Sequence, residues 1–129
     1  MKGIENVYNG QKVISVIFKN NSKIVDSVFV TQKHYPMQVG IHASFDKKKF
    51  SKHIHNDINI ADKISCHEVL LVQSGVVTVD YFSKNGRKIA TKKLKAGDGV
   101  LIMDVIHQVT LSKNSKVIEI KQGPYVEKK

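Results

Sequence analysis

The feature that most constrains this chain is a succession of short runs rich in valine, isoleucine, threonine and aromatic residues, each ended by turn-forming residues. No window shows the apolar period of a long helix, which returns every three or four residues. Runs of this composition and length are typical of β-strands. The sequence therefore predicts an all-β fold. The predicted strands are residues 13–18, 24–31, 37–45, 68–73, 76–82, 88–94, 100–103, 108–111 and 117–121.

The segments between the predicted strands contain residues that favour turns. Asn85-Gly86 predicts a tight hairpin, because this pair readily adopts positive φ at both central positions. Residues 96–99 and 113–116 predict further turns, whereas residues 56–64 predict a short helix or an irregular segment. Strands at such spacing indicate a sandwich or a barrel.

The length of 129 residues predicts one domain, and no apolar run is long enough to cross a bilayer. The first residues lack the charged-then-apolar pattern of a signal peptide, so we expect a cytoplasmic protein. The single cysteine, Cys66, agrees with a reducing compartment. Cys66 is interpreted as a small buried apolar residue, with a thiolate nucleophile or metal ligand as the alternative.

The formal net charge is +10, and it comes almost entirely from lysine, since Arg87 is the only arginine. Recognition of phosphates and base edges favours the planar fork of arginine. The lysines are also spread along the chain and match no nucleic-acid-binding motif. This pattern favours a solvated lysine-rich surface over a nucleic-acid interface, and attraction of an anionic metabolite stays open.

Two features could supply ligands for a metal ion. In His53-Ile54-His55, the two imidazoles share one face if the segment is extended. Glu68 begins a strongly apolar predicted strand, where a buried carboxylate needs a cation or hydrogen-bond donors. Further along, Gly97-Asp98 precedes another apolar strand, and His107 follows it.

The order His-X-His, Glu-X6-Gly, Gly-Asp and a final His resembles the two conserved motifs of the cupin superfamily, over roughly residues 37–125. The resemblance implies that residues 1–129 form a single cupin-type jelly-roll β-barrel. It also implies a divalent metal bound by four ligands. These are His53, His55, Glu68 and His107.

This chain departs from the family pattern in two places. Twelve residues separate His55 from Glu68, where the family has a much shorter spacing. The second motif has Met103 and Val105 where the family has a proline and a glycine. His67 is a rival ligand, which a strand bulge would turn towards the site. Three imidazoles and one carboxylate suit Fe(II), Mn(II), Ni(II), Co(II) or Zn(II), with coordination positions left open for water or substrate.

The predicted C-terminal strand alternates, with Ile118 and Ile120 on one face and Glu119 and Lys121 on the other. The polar face lies either in solvent or along the cavity of the barrel, where it would supply binding or acid–base groups. The ending, residues 119–125, resembles that of small cupins found beside polysaccharide-biosynthesis enzymes. That resemblance implies a sugar or nucleotide-sugar as ligand.

Two functions follow as the main hypotheses. The first is a metal-dependent enzyme of the isomerase, epimerase or oxygenase type, acting on a small sugar or anionic metabolite, with Glu119 or His42 as the base. The alternative is a non-catalytic module that binds a metal and a small ligand. A polyanion binder driven by charge is a third. Cupins commonly pair through an N-terminal strand, so we expect a homodimer in which residues 1–36 make the contact.

Overall fold

Two β-sheets packed face to face make up the body of the molecule. A computed structural model describes residues 3–18, 26–55, 58–59, 63–64, 66–103 and 105–124. The strands, in chain order, are β1 (Ile4–Asn9), β2 (Lys12–Phe18), β3 (Ser27–Phe29), β4 (Met37–Ser44), β5 (Lys48–Lys49), β6 (Ile58–Asn59), β7 (Lys63–Ile64), β8 (Glu68–Ser74), β9 (Val76–Phe82), β10 (Lys88–Lys95), β11 (Gly99–Ile102), β12 (Ile106–Leu111) and β13 (Ser115–Gln122).

The strand order shows the crossovers of a jelly roll. The five-stranded sheet has the order β11-β8-β13-β4-β3, and the four-stranded sheet has the order β10-β9-β12-β5. All the pairings within both sheets are antiparallel. From β10 to β13 each successive strand lies in the other layer, and crossovers of this kind are typical of a jelly-roll barrel. The predicted all-β fold is confirmed. Among the described residues, no helix is long and apolar enough to cross a membrane.

Inward-facing aliphatic side chains from both sheets fill one end of the barrel. Every second residue of a strand points the same way, so each strand contributes alternate residues to this core. The buried core consists of Leu70, Val72, Val77, Val79, Ile102, Val109, Leu111 and Val117. Removing this much apolar surface from water is the main driving force for closing the two layers. The other end of the barrel contains polar side chains instead.

The outer face of the five-stranded sheet is also apolar. Its cross-strand register aligns Leu71 with Ile118 and Ile41, and Leu101 with Val69 and Ile120. Leu71 is 41% exposed and Leu101 is 55% exposed, although Ile118 and Ile41 are buried. Both faces of this sheet are therefore hydrophobic.

Several predicted strands have nearly the bounds that the structure shows, but five elements differ. β1 forms a hairpin with β2, and β5 pairs with β12, and neither β1 nor β5 is among the predicted strands. The prediction of residues 24–31 as one strand is too long, because β3 covers only three described residues. The region predicted to be a short helix or irregular contains the short antiparallel pair β6–β7. The remaining residues of 56–64 lie outside the described part of the chain.

The hairpin between β9 and β10 differs from the predicted turn. Gly86 has a φ of 89°, but Asn85 does not have positive φ. Instead, Asn85 Oδ1 accepts a hydrogen bond from the Arg87 backbone N at 3.0 Å. The side chain thus stabilises a longer turn that needs only one left-handed residue.

The turn between β8 and β9 requires a glycine. Gly75 has a φ of 74°, a conformation that other residues rarely adopt. A Cβ atom at this position would lie 2.2 Å from Ser115 Oγ and 2.7 Å from Ser115 Cα. Two features therefore require a glycine at the end of the Glu-X6-Gly motif: its positive φ and the close approach of Ser115.

Candidate metal site and adjoining cavity

Four potential metal ligands meet at the polar end of the barrel. His53 and His55 follow β5, Glu68 begins β8, and His107 lies in β12. Their nearest ligand atoms all lie within 4.8 Å of one another. The four residues come from both layers, so the fold brings together side chains that are far apart in the sequence.

A backbone bridge positions two of the histidines. His53 N donates to His107 O at 3.1 Å, and His107 N donates to His53 O at 3.2 Å. This antiparallel pair of hydrogen bonds places the two side chains on the same face, with ring centroids 4.6 Å apart. The His55 ring lies 4.8 Å from the His53 ring. His53 therefore lies in an extended backbone bridge, and its ring and that of His55 lie side by side, in agreement with the predicted extended segment.

Glu68 contacts two of these imidazoles with different oxygens. Oε2 lies 3.0 Å from His55 Nε2, and Oε1 lies 2.9 Å from His107 Nε2. Neighbouring ligands of an octahedral ion with bonds of about 2.1 Å are separated by about 3.0 Å. These distances are also those of hydrogen bonds, and they bring the carboxylate and the imidazole nitrogens close enough to share one ion. The side chains of Glu68 and His107 are each 2% exposed, so water does not solvate the carboxylate.

The ring nitrogens that point away from the cluster bind backbone carbonyls. His53 Nδ1 lies 2.9 Å from Ser51 O, and His107 Nδ1 lies 2.8 Å from Val105 O. Because a carbonyl only accepts, each Nδ1 carries the proton and donates it. In the neutral ring, Nε2 then holds a lone pair that faces the cluster. This arrangement is typical of metal-binding histidines, whose second nitrogen is oriented by a backbone or carboxylate acceptor.

His107 Nε2 has an unusual environment. This atom is buried and makes no hydrogen bond of good geometry, although Glu68 Oε1 is only 2.9 Å away. With the proton on Nδ1, a lone pair and a carboxylate oxygen face each other, and both atoms are acceptors. A buried acceptor pair needs a proton or a cation between its members. The donor set therefore fits a cation.

The pKa values follow from the same contacts. Burial raises the pKa of Glu68, but contacts with His107 and His55 outweigh it and hold this pKa well below its ordinary value. Burial lowers the pKa of His107, but the Glu68 carboxylate and the Val105 carbonyl outweigh it and raise this pKa above its ordinary value. The raised pKa favours the protonated form of His107, in which a proton lies between the two facing acceptors.

A cavity of about 120 Å³ adjoins the four residues. Glu68 and His53 form part of its wall, so a molecule in the cavity would touch the candidate ligands. Three further polar side chains line it, from β4 and β13: His42, Glu119 and Lys121. The rest of the wall is apolar and contains Phe29, Phe50, Leu70, Val109 and Val117.

The inward face of β13 supplies two charged residues to this cavity. Glu119 is 9% exposed and Lys121 is 7% exposed. Glu119 Oε1 lies 3.5 Å from His42 Nε2 and 3.8 Å from Lys121 Nζ. Of the two orientations that the sequence left open, the structure has the polar face of β13 lining the cavity. Glu119 and His42 both lie in this cavity, and their catalytic role stays a prediction.

Two residues near His42 could not be identified from the sequence. Ser27 Oγ lies 2.8 Å from His42 Nδ1, and the Phe29 ring packs edge-on against the His42 ring at 5.9 Å. Ser27 also lies 3.1 Å from Lys48 Nζ, at the exposed side of β3. Only the pairing of β3 with β4 brings these residues to His42, and the sequence carries no signal for that pairing.

His67 and Cys66 lie outside the ligand cluster. The cluster comprises only the four residues named above within the part of the chain that the structure describes. The His67 backbone N donates to Gln122 Oε1 at 2.7 Å. Cys66 is 8% exposed, in agreement with its interpretation as a small buried residue.

No family model and no curated protein sequence matches the chain. Solved structures do match its fold. A cupin-2 domain protein from Shewanella frigidimarina is 16% identical, with a TM-score of 0.52, over 76% of this chain and 80% of its own. KdgF from a Halomonas species is 17% identical, with a TM-score of 0.55, over 78% of this chain and 79% of its own.

Larger proteins contain the same barrel. Oxalate decarboxylase from Bacillus subtilis, which has Mn(II) centres, is 11% identical, with a TM-score of 0.55, over 71% of this chain. The chain spans only 22% of that protein and 26% of another oxalate decarboxylase. At these low sequence identities, the structural similarity shows the fold alone.

Together, the two layers and the inward-facing histidines and glutamate define a small jelly-roll barrel with a polar site at one end. The chain has the fold of the cupin superfamily. Its His/His/Glu/His cluster fits a metal-binding cupin.

Proposed function

We propose that this chain binds one divalent transition metal through His53, His55, Glu68 and His107, and that the loaded site acts on a small molecule in the adjoining cavity. One observation carries the proposal. His107 Nε2 is buried without a hydrogen bond of good geometry, and its distance from Glu68 Oε1 is 2.9 Å. A cation resolves this pair of facing acceptors.

The ligand set suits Fe(II), Mn(II), Ni(II), Co(II) or Zn(II), because three imidazoles and a carboxylate are borderline ligands. The Mn(II) centres of the B. subtilis oxalate decarboxylase support manganese as one candidate. A bound ion of this kind supplies Lewis-acid or redox chemistry to a ligand at its open positions.

Glu119 and His42 are the proposed acid–base groups. Both line the cavity, and Glu119 Oε1 lies 3.5 Å from His42 Nε2. Ser27 contacts His42 Nδ1 and so orients the ring with Nε2 towards Glu119. Glu119 would accept a proton from a substrate carbon or hydroxyl in the cavity, as isomerisation or epimerisation requires. Oxygenation would instead require Fe(II). We propose a small sugar or an anionic metabolite as the substrate.

A non-catalytic binding module is the second candidate. Glu119 is already engaged by His42 and by Lys121, at 3.5 and 3.8 Å. These contacts would orient Glu119 as a base. They would equally hold its carboxylate in place to recognise a ligand without catalysis. Metal and ligand binding without turnover would support this candidate.

We also propose that the chain forms a homodimer. The outer face of the five-stranded sheet exposes Leu71 and Leu101, and the β1–β2 hairpin exposes Tyr8 and Ile14. Exposed apolar surfaces of this kind are typical of protein–protein interfaces. A second copy of the chain would cover them.

Metal content is the first test, by inductively coupled plasma mass spectrometry on protein purified without a histidine tag. The wild type should contain about one equivalent of a transition metal, and His53→Ala and Glu68→Ala should lose it. His67→Ala is the matched control, because this histidine lies near the cluster but outside it. A wild type that binds no metal after reconstitution would contradict the proposal.

A further inference from the structure

Lys121 is a buried lysine beside the candidate metal site. Its side chain is 7% exposed, whereas lysines are almost never buried unless they are paired. In the register of β13 with β8, Lys121 is directly opposite Glu68. Glu119 Oε1 forms an ion pair with Lys121 Nζ at 3.8 Å, whereas both Glu68 oxygens contact histidines.

The charges of the site do not balance when a divalent ion is present. The cavity wall contains two carboxylates, Glu68 and Glu119, and one ammonium group, Lys121. A divalent ion then leaves one positive charge in excess, before His42 is counted. An uncompensated charge in a buried site is costly, so a monoanion is the best partner for it.

The cavity also limits the size of the ligand. Its volume of about 120 Å³ has room for a molecule of few non-hydrogen atoms. The Phe29 ring lies 5.2 Å from Lys121 Nζ, and Phe50 and Val117 line the same space. An apolar body would pack against these side chains while a charged group contacts Lys121.

We propose that the ligand is a small monocarboxylate with a short apolar body, whose carboxylate group pairs with Lys121 Nζ. This inference rests on the proposed function, because the excess charge depends on a bound divalent ion. It makes Lys121 the residue that selects an acid over a neutral sugar. Glu119 remains free to act as the acid–base group, since the ligand carboxylate takes over the pairing with Lys121.

The test compares two probes of the same shape, isobutyrate and isobutyramide, which differ in charge. Binding to Zn(II)-loaded protein is measured by ligand-observed nuclear magnetic resonance titration. We expect isobutyrate to bind at least tenfold more tightly than isobutyramide. Lys121→Met should remove this preference, whereas Lys116→Met should retain it. Lys116 is the matched control, because it lies on the outward face of the same strand.

Metal content is measured in every sample, which separates this inference from the proposed function. Equal affinities for the two probes in the metal-loaded wild type would overturn the carboxylate site and leave the metal site standing. An unchanged preference in Lys121→Met would do the same. Lys121→Gln serves as a second variant if Lys121→Met does not fold. A wild type that takes up no Zn(II) would instead overturn the proposed function, together with the charge balance on which the carboxylate site depends.

Discussion

Replacing Glu68 with glutamine should abolish the stabilisation by metal, measured as the difference between the metal-loaded and the metal-free form of each protein. Glutamine keeps the shape of the side chain, and its amide offers one donor and one acceptor. The two histidine Nε2 atoms lie 3.0 and 2.9 Å from the present carboxylate oxygens, within reach of both groups. Loss of the carboxylate also removes its buried contact with His107, so the metal-free Tm should fall, and each protein is therefore compared with its own metal-free form.

The effect of the metal is larger. At about one hundred times Kd, an ion that binds only the folded chain stabilises it by about 2.7 kcal/mol. For a domain of this size, that free energy raises Tm by roughly 8–14 °C. The wild type should show this rise and Glu68→Gln should not.

The assay is differential scanning calorimetry at pH 8, on protein stripped with EDTA and then titrated with Zn(II) or Mn(II). Glu5→Gln is the matched control, since it makes the same substitution on an exposed carboxylate of β1. If Glu68→Gln retained the full rise in Tm, the carboxylate would not be a ligand and the reasoning would be refuted.

Three further predictions concern protonation, the backbone and assembly. Because the pKa of His107 is raised, a metal ion must displace a proton from this ring whenever the pH is below that pKa. Metal affinity should therefore fall about tenfold for each pH unit below that pKa and become constant above it. Titration calorimetry that finds the same metal affinity at every pH between 5.5 and 8 would contradict this prediction. Gly75→Ala should destabilise the chain by at least ~2 kcal/mol in urea unfolding, because its Cβ would meet Ser115. Gly10 also has positive φ, but a Cβ atom there would have no neighbour within 4 Å, so Gly10→Ala should lower the free energy of unfolding by only about 1 kcal/mol. Equal losses in the two variants would show that the contact with Ser115 is unimportant. Leu101→Lys should convert the proposed homodimer to a monomer in light scattering after size exclusion, and a wild type that is already monomeric would disprove the dimer.

Most of the strands could be predicted from the sequence, because their stability depends on local composition and on the turns that end them. β9 has the predicted bounds, and β8 extends only one residue further. β5 and the β6–β7 pair are two residues long per strand, and β5 pairs with β12, which is distant in sequence. Such short elements leave no periodic pattern in a sequence.

The orientation of β13 shows a different limit. In a strand with one solvated face, alternation identifies the inward side. Here Ile118 is 6% exposed while Glu119 and Lys121 are 9% and 7% exposed, so both faces of the strand are buried. The direction of the polar face therefore depends on the neighbouring strands, β4 and β8. The ligand cluster could be predicted because its residues occur in a characteristic order, whereas the contacts of Lys121 could not.

The backbone bridge between His53 and His107 has a mechanical consequence for the proposed metal site. Glu68 belongs to the five-stranded sheet and His107 to the four-stranded sheet, so an ion held by both would cross-link the two layers. Separation of the layers at this end or rotation of a histidine would each weaken the hold on the ion. Rotation is opposed by the Nδ1 hydrogen bonds to Ser51 O and Val105 O. The off-rate of the metal would then measure how often this end of the barrel opens.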